Sequence, residues 1–216
     1  MRSVKKAPKG RFKEGFARVL FLLAACVSIL AVILICVFLL ANGIPAIREV
    51  GLFKFLSGKV WRPGNDIYGI LPMIVGSLYI TAGAILFGVP TGILTALYLS
   101  RFASRPAAKI LNPAVELLAG IPSVVYGFFG LVVIVPVLGS SILTASILLG
   151  IMILPTIITV AKSSLDAVPQ TYYEGALALG ATHERSVFKI LFPAARSGVL
   201  AGVVLGIGRA IGETMA

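Results

Sequence analysis

The chain has 216 residues, of which 58% are hydrophobic and 12% charged, and its formal net charge is +11. So apolar a composition excludes an ordinary soluble domain, which needs fewer hydrophobic residues for its core. The longest segments are apolar on every face and long enough to cross a bilayer as helices, whereas the strands of a membrane barrel alternate. We therefore predict an all-α protein that crosses a membrane several times.

A basic segment precedes the first apolar run. Residues 1–16 carry several Lys and Arg against the single acidic Glu14, which is typical of the cytoplasmic flank of a span and does not indicate nucleic-acid binding. The first span is predicted at 17–41, and it exceeds the apolar core of a cleavable signal peptide. Cys26 and Cys36 in this span are predicted to be buried thiols that face lipid or neighbouring helices, because no His or carboxylate lies near them in sequence.

Four more spans are predicted, at 70–99, 113–138, 142–161 and from 197 to the end. Of the connecting segments, 100–112 has three basic and no acidic residues, and 162–196 carries Lys162, Arg185, Lys189 and Arg196. The segment 42–69 has four basic residues against two acidic. Because basic loops face the cytoplasm, these two loops and the amino terminus are predicted inside, and 42–69 outside. The last span then runs outward without a polar flank, so we expect a sixth span beyond Ala216.

The third span contains "AGIPSVVYGFFG", from Ala119 to Gly130. Most glycines within the spans are expected to serve close helix packing. Here, however, a Pro lies between Gly, Ser and Tyr, and such a sequence can open a helix beside a polar path. Ser123 and Tyr126 are therefore candidate residues of a transport pathway.

The loop 162–196 has signals for two short helices. Pro169 suits a first helical turn, Gly180 can end that helix with positive φ, and Thr182 can cap a second helix that continues to Lys189. These helices would expose apolar side chains outside the membrane, namely Tyr172, Tyr173, Leu177, Leu179 and Phe188. A protein partner or the bilayer surface could cover them, and the physical argument leaves both open.

The same loop resembles the EAA loop of ABC-type import permeases. The resemblance is carried by Glu174, Gly175, Ala176, Gly180 and the "ILFP" that ends at Pro193. Gly175 stands where the family usually has Ala. In that family the loop forms a coupling helix that docks in a cleft of a separate ATPase subunit. The resemblance implies ATPase coupling as the role of these five residues, with ATP hydrolysed by a partner and no enzymatic activity in this chain.

Within that class, "AGIPSVVYGFFGL", "IMILPTIITVAKSSLDAVPQTYYEGALALGAT" and "GRAIGETMA" resemble the permeases of Pst phosphate importers, of the PstC type. The resemblance covers residues 69–216 and implies a type I importer permease with six spans, in a bacterial inner membrane. The implied partners are a PstA-type permease, a dimer of ATP-binding subunits and an external phosphate-binding protein. No cofactor or metal is implied, and the sequence has no Walker A, GxSxG, HExxH or CxxC motif.

The resemblance predicts that the chain forms half of a pathway for inorganic phosphate. A permease for sulfate, molybdate or phosphonate is an alternative, although it would share the EAA loop and not "GRAIGETMA". A secondary phosphate carrier is a second alternative, but it would need carboxylates for a coupling ion and internal repeats.

Two opposite charges, Arg209 and Glu213, lie in the last apolar run. Four residues apart on a helix, they share one face. They form either a salt bridge that fixes packing or a functional pair, and charge inside a membrane favours function. Arg209 has a planar fork suited to phosphate oxygens, and Glu213 would keep it from trapping the anion. His183, in the loop before this span, is expected to be solvated.

Overall fold

The computed structural model describes residues 11–215, and the chain divides into two compact units, Met1–Leu71 and Pro72–Ala216. Most of the predicted basic segment 1–16 lies outside the described residues. The first unit comprises helix α1 (Arg11–Val50), helix α2 (Leu52–Ser57) and the two-residue strands β1 (Trp61–Arg62) and β2 (Ile67–Tyr68). The side chains along the apolar part of α1 are exposed, as expected for a helix that faces lipid.

The first helix continues past its predicted end at Ala41 as far as Val50. Gly51 then ends it with a φ of 85°, a conformation that glycine adopts readily. The remainder of the predicted loop 42–69 is also ordered, because β1 and β2 pair antiparallel and the rings of Trp61 and Tyr68 meet edge to face, with centroids 5.7 Å apart. This loop is therefore more structured than its sequence indicated.

The second unit is helical. It contains α3 (Leu71–Leu97) with a π-helical turn (Tyr98–Phe102), α4 (Arg105–Gly120), α5 (Ser123–Phe129) with a π turn (Gly130–Ile134), α6 (Val135–Leu138), α7 (Ile142–Asp166), α8 (Gln170–Ala178), α9 (His183–Ser186) with a π turn (Val187–Leu191), and α10 (Phe192–Met215). Across the described residues of both units, four helices are long and apolar enough to cross a membrane, or five if one bent pair counts as a span. The predicted all-α, polytopic fold is confirmed.

The predicted third span, 113–138, is wrong as a single helix. The chain breaks at Ile121 and Pro122, and the segments Arg105–Gly120 and Ser123–Leu138 meet at 95°. The break follows from chemistry, because a proline disfavours the helical conformation of the preceding residue. Helix α4 is amphipathic, with apolar residues on one face and Arg, Lys, Asn and Glu on the other. The apolar residues in its second half made it look, by hydropathy, like the start of the span that follows.

Helix α7 is the centre of the second unit. It has the longest run of buried residues, among them Ile153, Ile157 and Leu165, whose relative exposure is 0%. Glycines on both neighbouring helices let their backbones approach it. A Cβ at Gly92 of α3 would lie 2.9 Å from Ile157 Cγ2, and one at Gly206 of α10 would lie 2.7 Å from Ile157 Cγ1. Ile157 therefore fills the space that two glycines leave, as in other close membrane helix pairs.

The last span starts earlier than predicted. A helix begins at His183, passes through the π turn and continues through α10, giving 32 residues from His183 to Thr214 with no break. The prediction of a separate second loop helix ending at Lys189, followed by a span from 197, is wrong in this respect. Pro193 does not interrupt the helix, because the carbonyl four residues earlier lies in the wider π turn, where the usual clash with the proline ring is relieved.

Candidate functional site

The charge pair lies where α10 packs most closely on α7. Gly198, Gly202 and Gly206 repeat every four residues along the contact, and Ala210, with 0% exposure, continues the row. Small residues at this spacing allow two helices to approach. The close approach brings the Arg209 side chain to α7, where its Nη1 donates a hydrogen bond of 3.3 Å to Thr156 Oγ1.

Arg209 and Glu213 face each other as their spacing predicts, but the contact is loose. Arg209 Nε and Glu213 Oε1 lie 3.9 Å apart, and the two side chains are 29% and 26% exposed. A guanidinium carries five N–H donors, and in the structure one of them is used on Thr156. Donors therefore remain for an anion, with a carboxylate close enough to weaken its binding.

Ser123 and Glu213 line the same open groove. It has a volume of about 430 Å³, and its walls come from α3, α5, α7 and α10, with Thr214 beside Glu213 and Gly127 beside Ser123. Most of the other lining residues are apolar, namely Ile80, Val124, Ala145, Leu148, Leu149 and Met152. A groove that is mostly apolar with a few convergent polar groups is typical of a small-ligand site. The structure thus has Glu213 and Ser123 on one groove and Arg209 bound to Thr156, and Arg209 is not among the residues that line the groove.

Tyr126 does not line this groove. Its side chain is 7% exposed, and its hydroxyl donates a hydrogen bond of 2.9 Å to the carbonyl oxygen of Leu118, on the other side of the chain break. Buried tyrosine hydroxyls require such a partner. In this position the hydroxyl ties α5 to the end of α4 and stabilises the bend.

Sequence reasoning missed Thr156 as the partner of Arg209. Other hydroxyls in the spans, such as those of Thr91, Ser146 and Ser164, donate to carbonyls one turn back in their own helices. No such bond is formed by Thr156 within the described residues, and its hydroxyl oxygen accepts from Arg209 Nη1 on the neighbouring helix. The signal available in the sequence was a threonine directly after Pro155 in an apolar span.

The predicted coupling residues lie mainly on α8 and its carboxyl end. Glu174 and Gly175 are exposed, whereas Ala176 is 4% exposed and packs inward. Leu179 is the most exposed large apolar side chain here, at 90%. Helix α8 therefore presents an acidic, partly apolar outer face and attaches to the unit through its inner face.

Gly180 ends α8 as predicted, with a φ of 82°. Its N–H bonds the Leu177 carbonyl at 2.9 Å, and the N–H of Ala181 bonds the Ala176 carbonyl at 3.1 Å. This pair of bonds is the Schellman motif, which satisfies the last carbonyls of a helix. The predicted cap at Thr182 is also confirmed, because its Oγ1 accepts from the Arg185 N–H at 3.3 Å.

Pro193 lies apart from α8, exposed on α10 just after the π turn. The expectation that His183 is solvated is wrong. Its ring is half-buried and meets the ring of Tyr173 on α8 and the ring of Phe102 at the end of the α3 segment, with centroids 5.7 Å and 4.8 Å away. Sequence could not reveal this contact, because the three residues belong to different elements.

Comparison with known proteins agrees with this architecture. Residues 88–216 match the family described as "Binding-protein-dependent transport system inner membrane component". The chain is 38% identical to the probable ABC transporter permease protein YqgH of Bacillus subtilis over 215 aligned residues. The alignment covers 94% of this chain and 70% of YqgH.

Two phosphate transport system permease proteins named PstC are also similar. The protein of Mesorhizobium japonicum is 36% identical over 205 residues, 82% of this chain and 62% of its own length. The protein of Xylella fastidiosa is 33% identical over 230 residues, 94% of this chain and 71% of its own length. The resemblance to ABC permeases of the PstC type is thus confirmed, and this multi-pass chain is a transport component rather than an enzyme. It belongs to the family of inner-membrane components of binding-protein-dependent ABC transport systems.

Proposed function

We propose that this chain forms half of the membrane pathway of an ATP-driven importer of inorganic phosphate. The observation that carries the proposal is the Arg209 side chain, which reaches Thr156 across the α7–α10 contact and lies 3.9 Å from Glu213. The names of the two PstC relatives support phosphate as the substrate. Family membership favours an ATP-driven importer over a secondary carrier.

The chemistry of the pair suits a transported anion. Phosphate needs cationic and hydrogen-bonding partners inside an apolar layer, and those partners must also let it leave. Arg209 supplies a planar set of donors for the phosphate oxygens. Glu213 offsets part of the positive charge and faces the groove that also contains Ser123. Binding at the pair is therefore strong enough for entry and weak enough for release.

Coupling to ATP is assigned to α8. Its exposed face, with Glu174 and Leu179, is the surface that a separate ATPase subunit would cover. The proposed assembly contains a PstA-type permease, two ATP-binding subunits and an external phosphate-binding protein. In this arrangement α8 and the amino terminus face the cytoplasm of a bacterial cell, in agreement with the basic loops.

Uptake of radiolabelled phosphate tests the proposal. The complete importer would be expressed in cells that lack other phosphate importers, with the wild-type ATPase subunit or with one that cannot hydrolyse ATP. We expect ATP-dependent phosphate uptake that excess sulfate, molybdate or phosphonate does not reduce. Competition by one of these anions would assign the pathway to that oxyanion instead, and uptake without ATP hydrolysis would contradict an ABC importer.

The order of activity among Arg209 variants tests the contact with the anion. Arg209→Lys keeps the charge but loses the planar fork, so uptake falls, and Arg209→Gln lowers it further. Assembly with the partner subunits is expected to stay near normal in both variants. Equal uptake by the wild type and the Gln variant would contradict the assignment.

A further inference from the structure

We propose that the contact between Tyr173 and His183 is the positioning element that transmits movement of α8 to the helix carrying Arg209. The inference rests on the proposed function, since it assumes that α8 receives force from an ATPase. It concerns two residues that belong neither to the outer face of α8 nor to the charge pair.

The contact joins two elements through a polar and an aromatic interaction. Tyr173 Oη and His183 Nδ1 are 2.9 Å apart, within hydrogen-bond distance, and the two rings lie at 82° to each other. Both side chains are half-buried. On α8 itself only Ala176 is fully buried among the nine residues, so the attachment of this helix depends on few side chains. Among the described residues, the hydrogen bond between Tyr173 and His183 is the only side-chain hydrogen bond that joins α8 to the rest of the chain.

A third element also contacts His183. Phe102 ends the π turn after α3 and meets the imidazole edge to face, at 4.8 Å between centroids and 74° between planes. The two preceding residues of the same turn are bound to the end of α7. Ser100 donates to the Asp166 carboxylate, and Arg101 Nη2 donates to the Leu165 carbonyl at 2.6 Å. His183 therefore lies at a junction where α3, α7 and α8 are joined.

His183 is also the first residue of the long last helix. That helix has 32 residues from His183 to Thr214, so at 1.5 Å per residue it is about 48 Å long. It contains Arg209 and Glu213 near its far end. Packed elements move as rigid bodies rather than deforming continuously. A displacement of α8 that pulls on His183 is thus carried along one uninterrupted helix to the charge pair.

Conservative substitutions can separate this role from simple packing. Tyr173→Phe keeps the ring and removes the hydroxyl. His183→Phe keeps a ring against Phe102 and removes the nitrogen that Tyr173 contacts. Tyr79→Phe is the matched control, because Tyr79 is 63% exposed on α3 and its hydroxyl makes no hydrogen bond to the described residues.

Two measurements would be made on the complete importer in proteoliposomes. The first is phosphate transported per ATP hydrolysed, and the second is amide hydrogen exchange in α8. A typical hydrogen bond corresponds to about a fivefold change in an equilibrium. We expect each variant to lower the transport ratio by at most about fivefold and to raise exchange in α8. The double variant should lose no more than either single one, because both remove the same bond.

The outcomes are distinct. An unchanged transport ratio in assembled Tyr173→Phe, losses that add in the double variant, or an equal loss in Tyr79→Phe would each overturn the inference. A wild-type complex that does not transport phosphate would overturn the proposed function instead. Amide hydrogen exchange in α8 would still test the Tyr173–His183 contact in that case. Exchange rates in Tyr173→Phe equal to those of the wild type would overturn the inference.

Discussion

Replacing Glu213 with Gln is expected to make the importer bind phosphate more tightly and release it more slowly. The Arg209 Nε and Glu213 Oε1 atoms are 3.9 Å apart, with side chains 29% and 26% exposed. At this separation two unit charges interact by about 1 kcal/mol in water and about 4 kcal/mol at an effective dielectric constant near 20. Because the pair is partly exposed, we take about 1 to 2 kcal/mol from the lower part of that range. Loss of the carboxylate then strengthens anion binding by about 5- to 30-fold.

Transport kinetics measure both consequences. In Glu213→Gln the phosphate concentration at half-maximal uptake should fall by roughly the same factor, and the maximal rate should fall as well, because release from an uncompensated arginine is slow. Glu213→Asp is the matched control, since it keeps the charge on a shorter side chain. A Gln variant with normal assembly and an unchanged half-saturating concentration would refute the role given to Glu213.

The double replacement of Arg209 and Glu213 by Leu separates transport from packing. If the pair only joined two turns of α10, two leucines would leave no charge unpaired and uptake would be restored. If Arg209 contacts phosphate, the complex assembles and uptake is lost. Uptake must be normalised to the assembled complex in the membrane. Near-normal uptake by the double Leu variant would remove Arg209 from the pathway.

Three other predictions test the coupling loop, the orientation and the bend. Gly180→Val should strain a backbone whose φ is 82° and impair co-purification of the ATPase, whereas Gly180→Asn, which tolerates this conformation, should retain more of it; equal co-purification would contradict the prediction. Cysteines at the exposed positions Lys59 and Lys109, in a chain without native cysteines, should react with an external impermeant thiol reagent at 59 only, and reaction at 109 alone would reverse the topology. Tyr126→Phe loses the hydrogen bond to the Leu118 carbonyl and should lower the free energy of unfolding by about 1 kcal/mol, with little change in substrate preference. An altered substrate preference would return Tyr126 to the transport pathway.

Local chemistry explains what could be predicted from the sequence. Gly180 and Thr182 act on their own helix ends, and the structure has the positive φ and the capping bond that their residue types favour. Arg209 and Glu213 face each other because a helical repeat fixes residues four apart on one face. These features depend on a few consecutive residues, which the sequence displays directly.

Features that depend on several elements could not be predicted. Thr156 binds Arg209 only because glycines on α10 bring that helix close to α7. His183 contacts Tyr173 and Phe102 only because three chain segments meet. The bend before Ser123 had a local signal in its Pro, but hydropathy averaged over a window cannot separate an amphipathic helix from the apolar helix that follows it.

The helix from His183 to Thr214 connects α8 to Arg209 only if it stays continuous, and the burial of two side chains explains why it does. Val187 and Leu191 lie at the two ends of the π turn, and both have 0% exposure. Conversion of the turn to a regular α-helix would rotate the helix on one side of it by about 100° and expose one of these two side chains. Exposing that side chain would cost about 1.5 to 3 kcal/mol of folding free energy. The wider turn also accommodates Pro193, whose ring would otherwise kink the helix. The same residues that resemble the end of an EAA loop therefore keep His183 and Arg209 on one rigid element.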